Sequence, residues 1–359
     1  MKLSAIAAEA ASKQNEKKDI ASAPDTYTAL VRHGGNLCAA RELFSEVPEP
    51  WIDLSTGINP FAYPMPSIHE DVWSRLPEPN RVRNLERIAT EFYKSRNSHA
   101  VAASGSQALI QFLPHILPTY NNIRILGFTY SGHAKAWKAV QKTVATVNSF
   151  SDLYQSDVAI VVNPNNPDGR LIRPEQLLDL AQHLDRNGGV VIVDEAFMDF
   201  IDPSYSVLPS LPRTGMIVLR SFGKTFGLAG VRLGFAFCPY RIEEKLRSSV
   251  GFWAISGAAV EVGEKAFLDK QWFANMKIRL QAATSRLDDL LARNGGTVTG
   301  GTTLFRLVKC DDAQKLFMHL ASHGILVRPF EMLPGHLRIG IPGSDLHWER
   351  LEKAFLSYE

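Results

Sequence analysis

The chain has 359 residues, 45% of them hydrophobic, enough to bury a large core and a second, smaller one. Lys and Arg number 39 against 37 Asp and Glu, a net charge of +2, which excludes the strongly basic footprint of a general nucleic-acid binder. Cys38, Cys238 and Cys310 are odd in number, far apart and without a CxxC pair. They suit a reducing cytoplasm rather than a disulfide framework, and no metal site is expected.

Residues 1–32 read as a frayed helix or mobile arm, because a chain end orders only where it is tied down. The opening MKLSAIAAEAA is short, Ala-rich and interrupted by Glu9, which argues against a signal peptide, and no uncharged apolar run approaches the roughly 18 residues of a bilayer span. The expectation is a soluble cytoplasmic protein. From residue 123 to 238 short apolar runs (123–128, 158–162, 190–193, 216–219 and 234–237) alternate with helical stretches such as 173–186. Runs of that length, rich in β-branched residues and bounded by Gly, Pro or polar residues, predict the strands of a mostly parallel sheet with helices on both faces. After about residue 245 two long amphipathic helices, 257–270 and 277–294, precede a strand at 303–308 and a final βαβ-like stretch from 312. That texture predicts a smaller α+β domain.

Active sites of doubly wound sheets lie at the carboxyl ends of the strands, and four such ends carry suggestive groups. Ser104-Gly-Ser-Gln107 precedes an apolar helix, and Gly and Ser at a helix N-terminus offer an anion cup or simply a turn with its cap. Val158-Ala-Ile-Val-Val-Asn163-Pro-Asn-Asn166 ends a strand in a Pro/Asn-dense turn, where turn chemistry competes with amide donation into a cleft. Val190-Val-Ile-Val-Asp194 delivers a carboxylate that could bind a ligand or cap the next helix. Ser221-Phe-Gly-Lys224-Thr-Phe-Gly-Leu-Ala-Gly-Val-Arg232-Leu-Gly234 follows the fourth strand. A P-loop would need glycine where Val218 stands. A lysine in this apolar, Gly-rich setting can instead be kept neutral and nucleophilic, able to form an imine.

The fourteen positions 221–234 resemble the pyridoxal-5′-phosphate attachment signature of the class I/II aminotransferases, and the other three strand ends fall into that family's order. The resemblance implies an α/β protein of the aspartate-aminotransferase fold, with residues 61–245 as the large cofactor-binding domain and 246–359 as the small one. Residues 33–60 would associate with the active site and the small domain. It also implies that Lys224 carries the cofactor as a Schiff base and later moves a proton. Ser221, Arg232, Gly105 and Ser106 would hold the phosphate, Asp194 the pyridine nitrogen, and Asn166 the ring's 3-oxygen. Tyr130 would stack on the ring. A homodimer is expected.

Two branches of the family compete, histidinol-phosphate aminotransferase and the L-threonine-O-3-phosphate decarboxylase of cobalamin biosynthesis. His33-Gly-Gly-Asn36 and Ile58-Asn59-Pro60 resemble the decarboxylase, and so does the tryptophan-containing Phe252-Trp-Ala-Ile-Ser256, although Phe252 replaces its usual proline. Phe197 stands where the aminotransferase branch typically has a tyrosine hydroxyl for the 3-oxygen, and Leu76 where relatives often place a tyrosine reaching the partner subunit's site. By the same resemblance Arg338 would fork the substrate carboxylate, Arg328 would meet its phosphate, and His33, Asn36 and Asn59 would line the substrate site. His133 reads as structural. The implied activity is decarboxylation of O-phospho-L-threonine, with phosphate-substrate transamination as the alternative. A transcription regulator built on this fold is disfavoured, since about 30 residues before His33 cannot hold a helix-turn-helix domain.

Overall fold

The computed structural model describes residues 30–31, 33–47, 49–95 and 98–358. The arm expected over 1–32 therefore lies outside the described residues except for Leu30 and Val31. A short strand, Ile52–Asp53 (β1), precedes seven strands of one sheet: His99–Ala103 (β2), Asn122–Leu126 (β3), Thr143–Val147 (β4), Val158–Val162 (β5), Val190–Asp194 (β6), Met216–Ser221 (β7) and Gly234–Cys238 (β8). They run in the order β2-β8-β7-β6-β5-β3-β4, and only β8 is antiparallel to its neighbours. β5, β6, β7 and β8 are buried along their whole length. Their unbroken Val/Ile/Leu/Phe character is what a sheet covered on both faces demands. Alternate residues divide between two cores. Ala159, Val161, Val191, Val193 and Val218 pack against helices Pro79–Phe92, Pro174–Arg186 and Gly257–Leu268. Ile160, Ile192, Ile217 and Leu219 face helices Ser106–Ile116, Ser131–Ala139 and Tyr240–Val250. Sequence periodicity missed β2 and β4: His-Ala-Val-Ala-Ala has no β-branched run, and β4 lies at the sheet's edge, half exposed.

The smaller core is built on a four-stranded antiparallel sheet, Arg328–Pro329 (β12), His336–Gly340 (β13), Phe305–Lys309 (β10) and Thr297–Thr302 (β9), while Ile325–Leu326 (β11) pairs in parallel with β1. That pairing buries Trp51, Ile52 and Leu54 in the small core. Three expectations need correction. The strand expected over 303–308 is the second half of a hairpin with Thr303 and Leu304 at its turn. Its first half was hidden by Gly300 and Gly301, where a Cβ on Gly300 would collide with the Asp168 carbonyl. The stretch after 312 runs helix, short strands, β13, helix rather than βαβ. Helix Gly257–Leu268, placed by sequence in the small domain, packs its Val260, Ala266 and Phe267 into the large core, and a Cβ on Gly263 would meet Leu85 at 2.9 Å. The change of core takes place along the next helix, Lys270–Arg293. Trp272 packs on the large core, Met276 and Leu280 on a bridging cluster, and Leu287, Leu290 and Leu291 on the small core. No helix among the described residues is long and apolar enough to cross a membrane.

Candidate active site

The carboxyl ends of β2, β3, β5, β6 and β7 open onto a cavity of about 720 Å³, closed on its far side by β13 and by residues of the 30–60 segment. Every residue singled out above for the site lines this cavity except Asn36 and Asn59.

Lys224 sits in a single helical turn, Phe222–Thr225, directly after β7. Phe222 and Phe226 anchor that turn by stacking 4.4 Å apart, fully buried, against Phe267 and Trp272. Each such ring stabilises by about 1.5–3 kcal/mol. The Lys224 side chain therefore points away from the core into the cavity, its Nζ 5.1 Å from the Phe197 ring centre and without a hydrogen-bond acceptor among the described residues. Burial lowers its pKa, Asp194 opposes this, and Arg338 and Arg232 reinforce it. Desolvation and neighbouring cations favour the neutral, nucleophilic amine.

Asp194 ends β6, buried, with its Oδ2 accepting from His133 Nε2 at 2.9 Å and its Oδ1 from the Ala196 amide at 3.1 Å. Burial pushes its carboxyl up, but the His133 bond, together with Lys224 and the Ala196 amide, holds it below the usual value. Asp194 thus remains an anion in a dry setting, able to fix a protonated ring nitrogen. His133 was read from sequence as structural, and the fold makes it the residue that orients Asp194. The signal lay in Tyr130-Ser-Gly-His133: a helix starting at a strand's carboxyl end carries its first-turn residues toward the site.

At the other end of the cavity Gly105 adopts φ +85° and opens helix Ser106–Ile116 without a side-chain cap. The first-turn amides of such a helix have no intrahelical acceptor. A Cβ on Gly105 would lie 2.7 Å from Arg232 Nη2, so only glycine lets that guanidinium rest against the helix start. Arg232 holds a left-handed φ of 56°, a costly conformation for any residue with a Cβ and one that clusters at functional sites. The hydroxyls of Ser106 and Ser221 line the cavity beside it and make no hydrogen bond among the described residues. Backbone donors, two hydroxyls and an Arg fork make a cup for a phosphate dianion. Tyr130 flanks the cup, its hydroxyl donating to Gln107 Oε1 at 2.7 Å, and Gly132 is required because a Cβ there would run into the Tyr130 ring.

Arg338, on β13, is buried and lies 4.9 Å from the Phe305 ring centre. Its Nη1 donates to Asn166 Oδ1 at 2.6 Å and its Nη2 to the Ser55 carbonyl, while its buried Nε has no partner. Burial, and then Arg328, weaken its hold on its proton, with Asp53 opposing, so an incoming carboxylate is strongly favoured. Asn166 Nδ2 donates to nothing among the described residues and faces the cavity. Where related sequences suggest a tyrosine hydroxyl, Phe197 instead presents a ring packed edge-on against Phe305 at 5.1 Å. Arg328 and His33 both line the cavity, Arg328 donating to the Leu30 carbonyl at 2.9 Å. Asn36 and Asn59 do not reach it. The Asn36 side chain caps helix Leu37–Leu43 by accepting from the Ala39 amide. Asn59 is buried, donating to the Thr225 carbonyl and accepting from the Phe61 amide, while its own N–H donates to the Lys224 carbonyl. Both asparagines spend their amides on backbone, and Asn59 supports the Lys224 turn from beneath.

Behind the site Arg220 pairs with Glu195 at 2.6 Å and Asp199 at 2.7 Å, all three buried, over the Tyr93 ring at 4.5 Å. Asp199 also accepts from the Thr225 hydroxyl, so this network ties the residue after Asp194 to the residue after Lys224. Removing one partner of a buried ion pair costs about 3–5 kcal/mol because the other charge is stranded. Arg220→Met, which strands two carboxylates, is expected to lower the urea midpoint accordingly, and an unchanged midpoint would refute that estimate.

A nucleophilic amine, a shielded carboxylate, a free amide donor and a phosphate cup, spaced around one cavity, form the donor set for a phosphorylated aldehyde with a basic ring nitrogen, as in pyridoxal phosphate. The comparisons agree. The sequence model for aminotransferase class I and II matches residues 52–354. The threonine-phosphate decarboxylase of Pseudomonas aeruginosa is 39% identical over 92% of this chain and 98% of its own length. Histidinol-phosphate aminotransferase 1 of Burkholderia pseudomallei is 29% identical over 78% of this chain and 82% of its own. The crystal structure of histidinol-phosphate aminotransferase from Sinorhizobium meliloti in complex with pyridoxal-5′-phosphate matches with a TM-score of 0.75 over 89% of this chain and 94% of that one at 16% identity. With the family's sequence pattern running from β1 into the last helix and its donor set gathered at the strand ends, the chain belongs to the class I and II aminotransferases.

Proposed function

We propose that this protein is a pyridoxal-phosphate-dependent decarboxylase converting O-phospho-L-threonine to (R)-1-amino-2-propanol O-phosphate and CO2, the linker precursor of cobalamin synthesis. The observation that carries the reading is the 39% identity to a threonine-phosphate decarboxylase over nearly the whole of both chains. When bound, pyridoxal phosphate supplies an electron sink for the carbanion left at Cα as a bond breaks. The chain's own residues do the rest. Gly105, Ser106, Ser221 and Arg232 hold the cofactor's phosphate, Asp194 with His133 behind it keeps the ring nitrogen protonated, and Asn166 Nδ2 donates to the 3-oxygen. Tyr130 flanks the ring. Arg338 forks the α-carboxylate and Arg328 takes the substrate phosphate, so the two anchors together set which bond at Cα is presented for cleavage, a matter of positioning. Lys224, whose hold on a proton is weakened by burial, delivers that proton from its ammonium form to Cα after CO2 leaves and reverts to the neutral amine. Phe197, packed on Phe305, helps keep water from that centre.

Incubating the purified protein with O-phospho-L-threonine is expected to release CO2 without any keto acid. Release of glutamate from 2-oxoglutarate plus histidinol phosphate, and no CO2, would favour the aminotransferase reading.

The proposal includes a homodimer. Trp73, Leu76, Phe252 and Trp253 are 67, 62, 87 and 58% exposed. They belong to neighbouring segments, since Gly257 abuts the Val72 carbonyl and the Ala254 carbonyl accepts from Ser104 Oγ beside the phosphate cup. Large exposed apolar side chains grouped in this way mark an interaction surface. Sedimentation should return the mass of two chains, and an active monomer would defeat this part. A cytoplasmic setting is consistent with the three free thiols, Cys38, Cys238 and Cys310.

A further inference from the structure

We infer that Lys135, a residue with no role in the account above, is a specificity residue that reads the phosphate of the substrate. The inference rests on the proposed reaction for the identity of the substrate, but the geometry that carries it does not. Helix Ser131–Ala139 begins at Tyr130, and Lys135 projects from it into the lining of the cavity. Its Nζ lies 3.2 Å from His33 Nε2. Three residues earlier in the same segment, the Leu30 carbonyl accepts from Arg328 Nη1 at 2.9 Å. Both cations line the cavity. His33, Lys135 and Arg328 thus share the lining of one cavity.

An ammonium has three N–H donors and no acceptor capacity. The His33 ring takes one of the Lys135 donors, and Lys135 makes no ion pair with a carboxylate among the described residues. Arg328 is partly withdrawn from water, which weakens its hold on its proton, and an anion restores it. A phosphomonoester dianion bound by Arg328 and Lys135 would meet the planar fork on one side and the point charge on the other. Arg232, assigned above to the cofactor's phosphate, lies against Gly105 at the start of helix Ser106–Ile116, which leaves Arg328 and Lys135 for the substrate's phosphate. Lys135 then distinguishes a phosphorylated from an unphosphorylated hydroxy amino acid, a discrimination that Arg338, committed to the carboxylate, does not supply.

The test uses cofactor-loaded enzyme, so that the cofactor's own cup is filled. Calorimetry measures inorganic phosphate, O-phospho-L-threonine and L-threonine binding to the wild type, Lys135→Gln and Lys135→Arg, alongside CO2 release. Loss of one charge-assisted contact corresponds to about 10- to 100-fold. Lys135→Gln is expected to weaken inorganic phosphate and raise the KM for O-phospho-L-threonine by that factor, with L-threonine affinity at the wild-type value and the cofactor's absorbance spectrum retained. Lys135→Arg should recover most of the phosphate affinity. The inference is overturned if Lys135→Gln binds phosphate as the wild type does, or if L-threonine is weakened equally. Phosphate binding that depends on Lys135 in an enzyme that releases no CO2 would support this inference while refuting the proposed reaction.

Discussion

Lys224→Ala is expected to abolish both the covalent retention of pyridoxal phosphate and turnover. Borohydride treatment of the loaded wild type should add the cofactor's mass to the peptide containing residue 224, and the variant should show none. Loss of a positioned proton-transfer group alone costs roughly 10²–10⁴-fold, and loss of the covalent anchor adds to it. The variant is expected to remain folded, which circular dichroism checks and which separates a chemical loss from a structural one. In the wild-type apoprotein burial depresses the Lys224 pKa below its unfolded value, so the folded state binds fewer protons between the two values, and stability contributed by this residue rises with pH across that window. Below the window the buried ammonium is at its most destabilising. Apo Lys224→Ala should therefore be as stable as the wild type or more so at neutral pH, with the advantage vanishing as pH passes the ordinary lysine range near 10.4. A variant that unfolds at neutral pH, or that still traps label at another lysine with activity retained, would contradict the assignment.

Arg338→Met is expected to produce the second-largest loss. Truncating one partner of a buried charge pair costs about 2–5 kcal/mol, which corresponds to roughly 30-fold to several thousand-fold in kcat/KM for O-phospho-L-threonine at 1.4 kcal/mol per decade. The effect should be selective. O-phosphoethanolamine, which has the amine and phosphate but no carboxylate, should bind the variant and the wild type alike. An equal loss for both ligands would mean that Arg338 acts through its contacts to Asn166 and Ser55 rather than through the carboxylate.

The Lys224 loop was legible because it is contiguous: fourteen successive residues carry Lys224, Arg232 and the glycines between them, and they match the family's signature without a gap. The central strands were legible for a similar reason, since a strand buried on both faces must be apolar at every position. What escaped was decided at long range. Nothing local marks Asn36 and Asn59 as structural rather than substrate-facing. An asparagine's amide goes to whichever partner the fold brings near, and for Asn59 that partner lies 166 residues away. The pairing of Arg338 with Asn166 spans 172 residues and depends on β9 meeting the Asp168–Gly169 turn closely enough that only glycines fit. Helix Gly257–Leu268 looked like the start of the small domain because its amphipathic pattern does not say which core it faces. Gly263 against Leu85 settled that only in three dimensions.

Residue types and their order along the chain were enough to specify the parallel sheet and to bring Lys224, Asp194, Ser221 and Arg232 to strand ends around one cavity, because strand burial and loop spacing are local properties. Which asparagines line the cavity, that His133 stands behind Asp194, and that Lys135 meets His33 were set by packing between distant segments, where side chains compete for partners that no local pattern encodes.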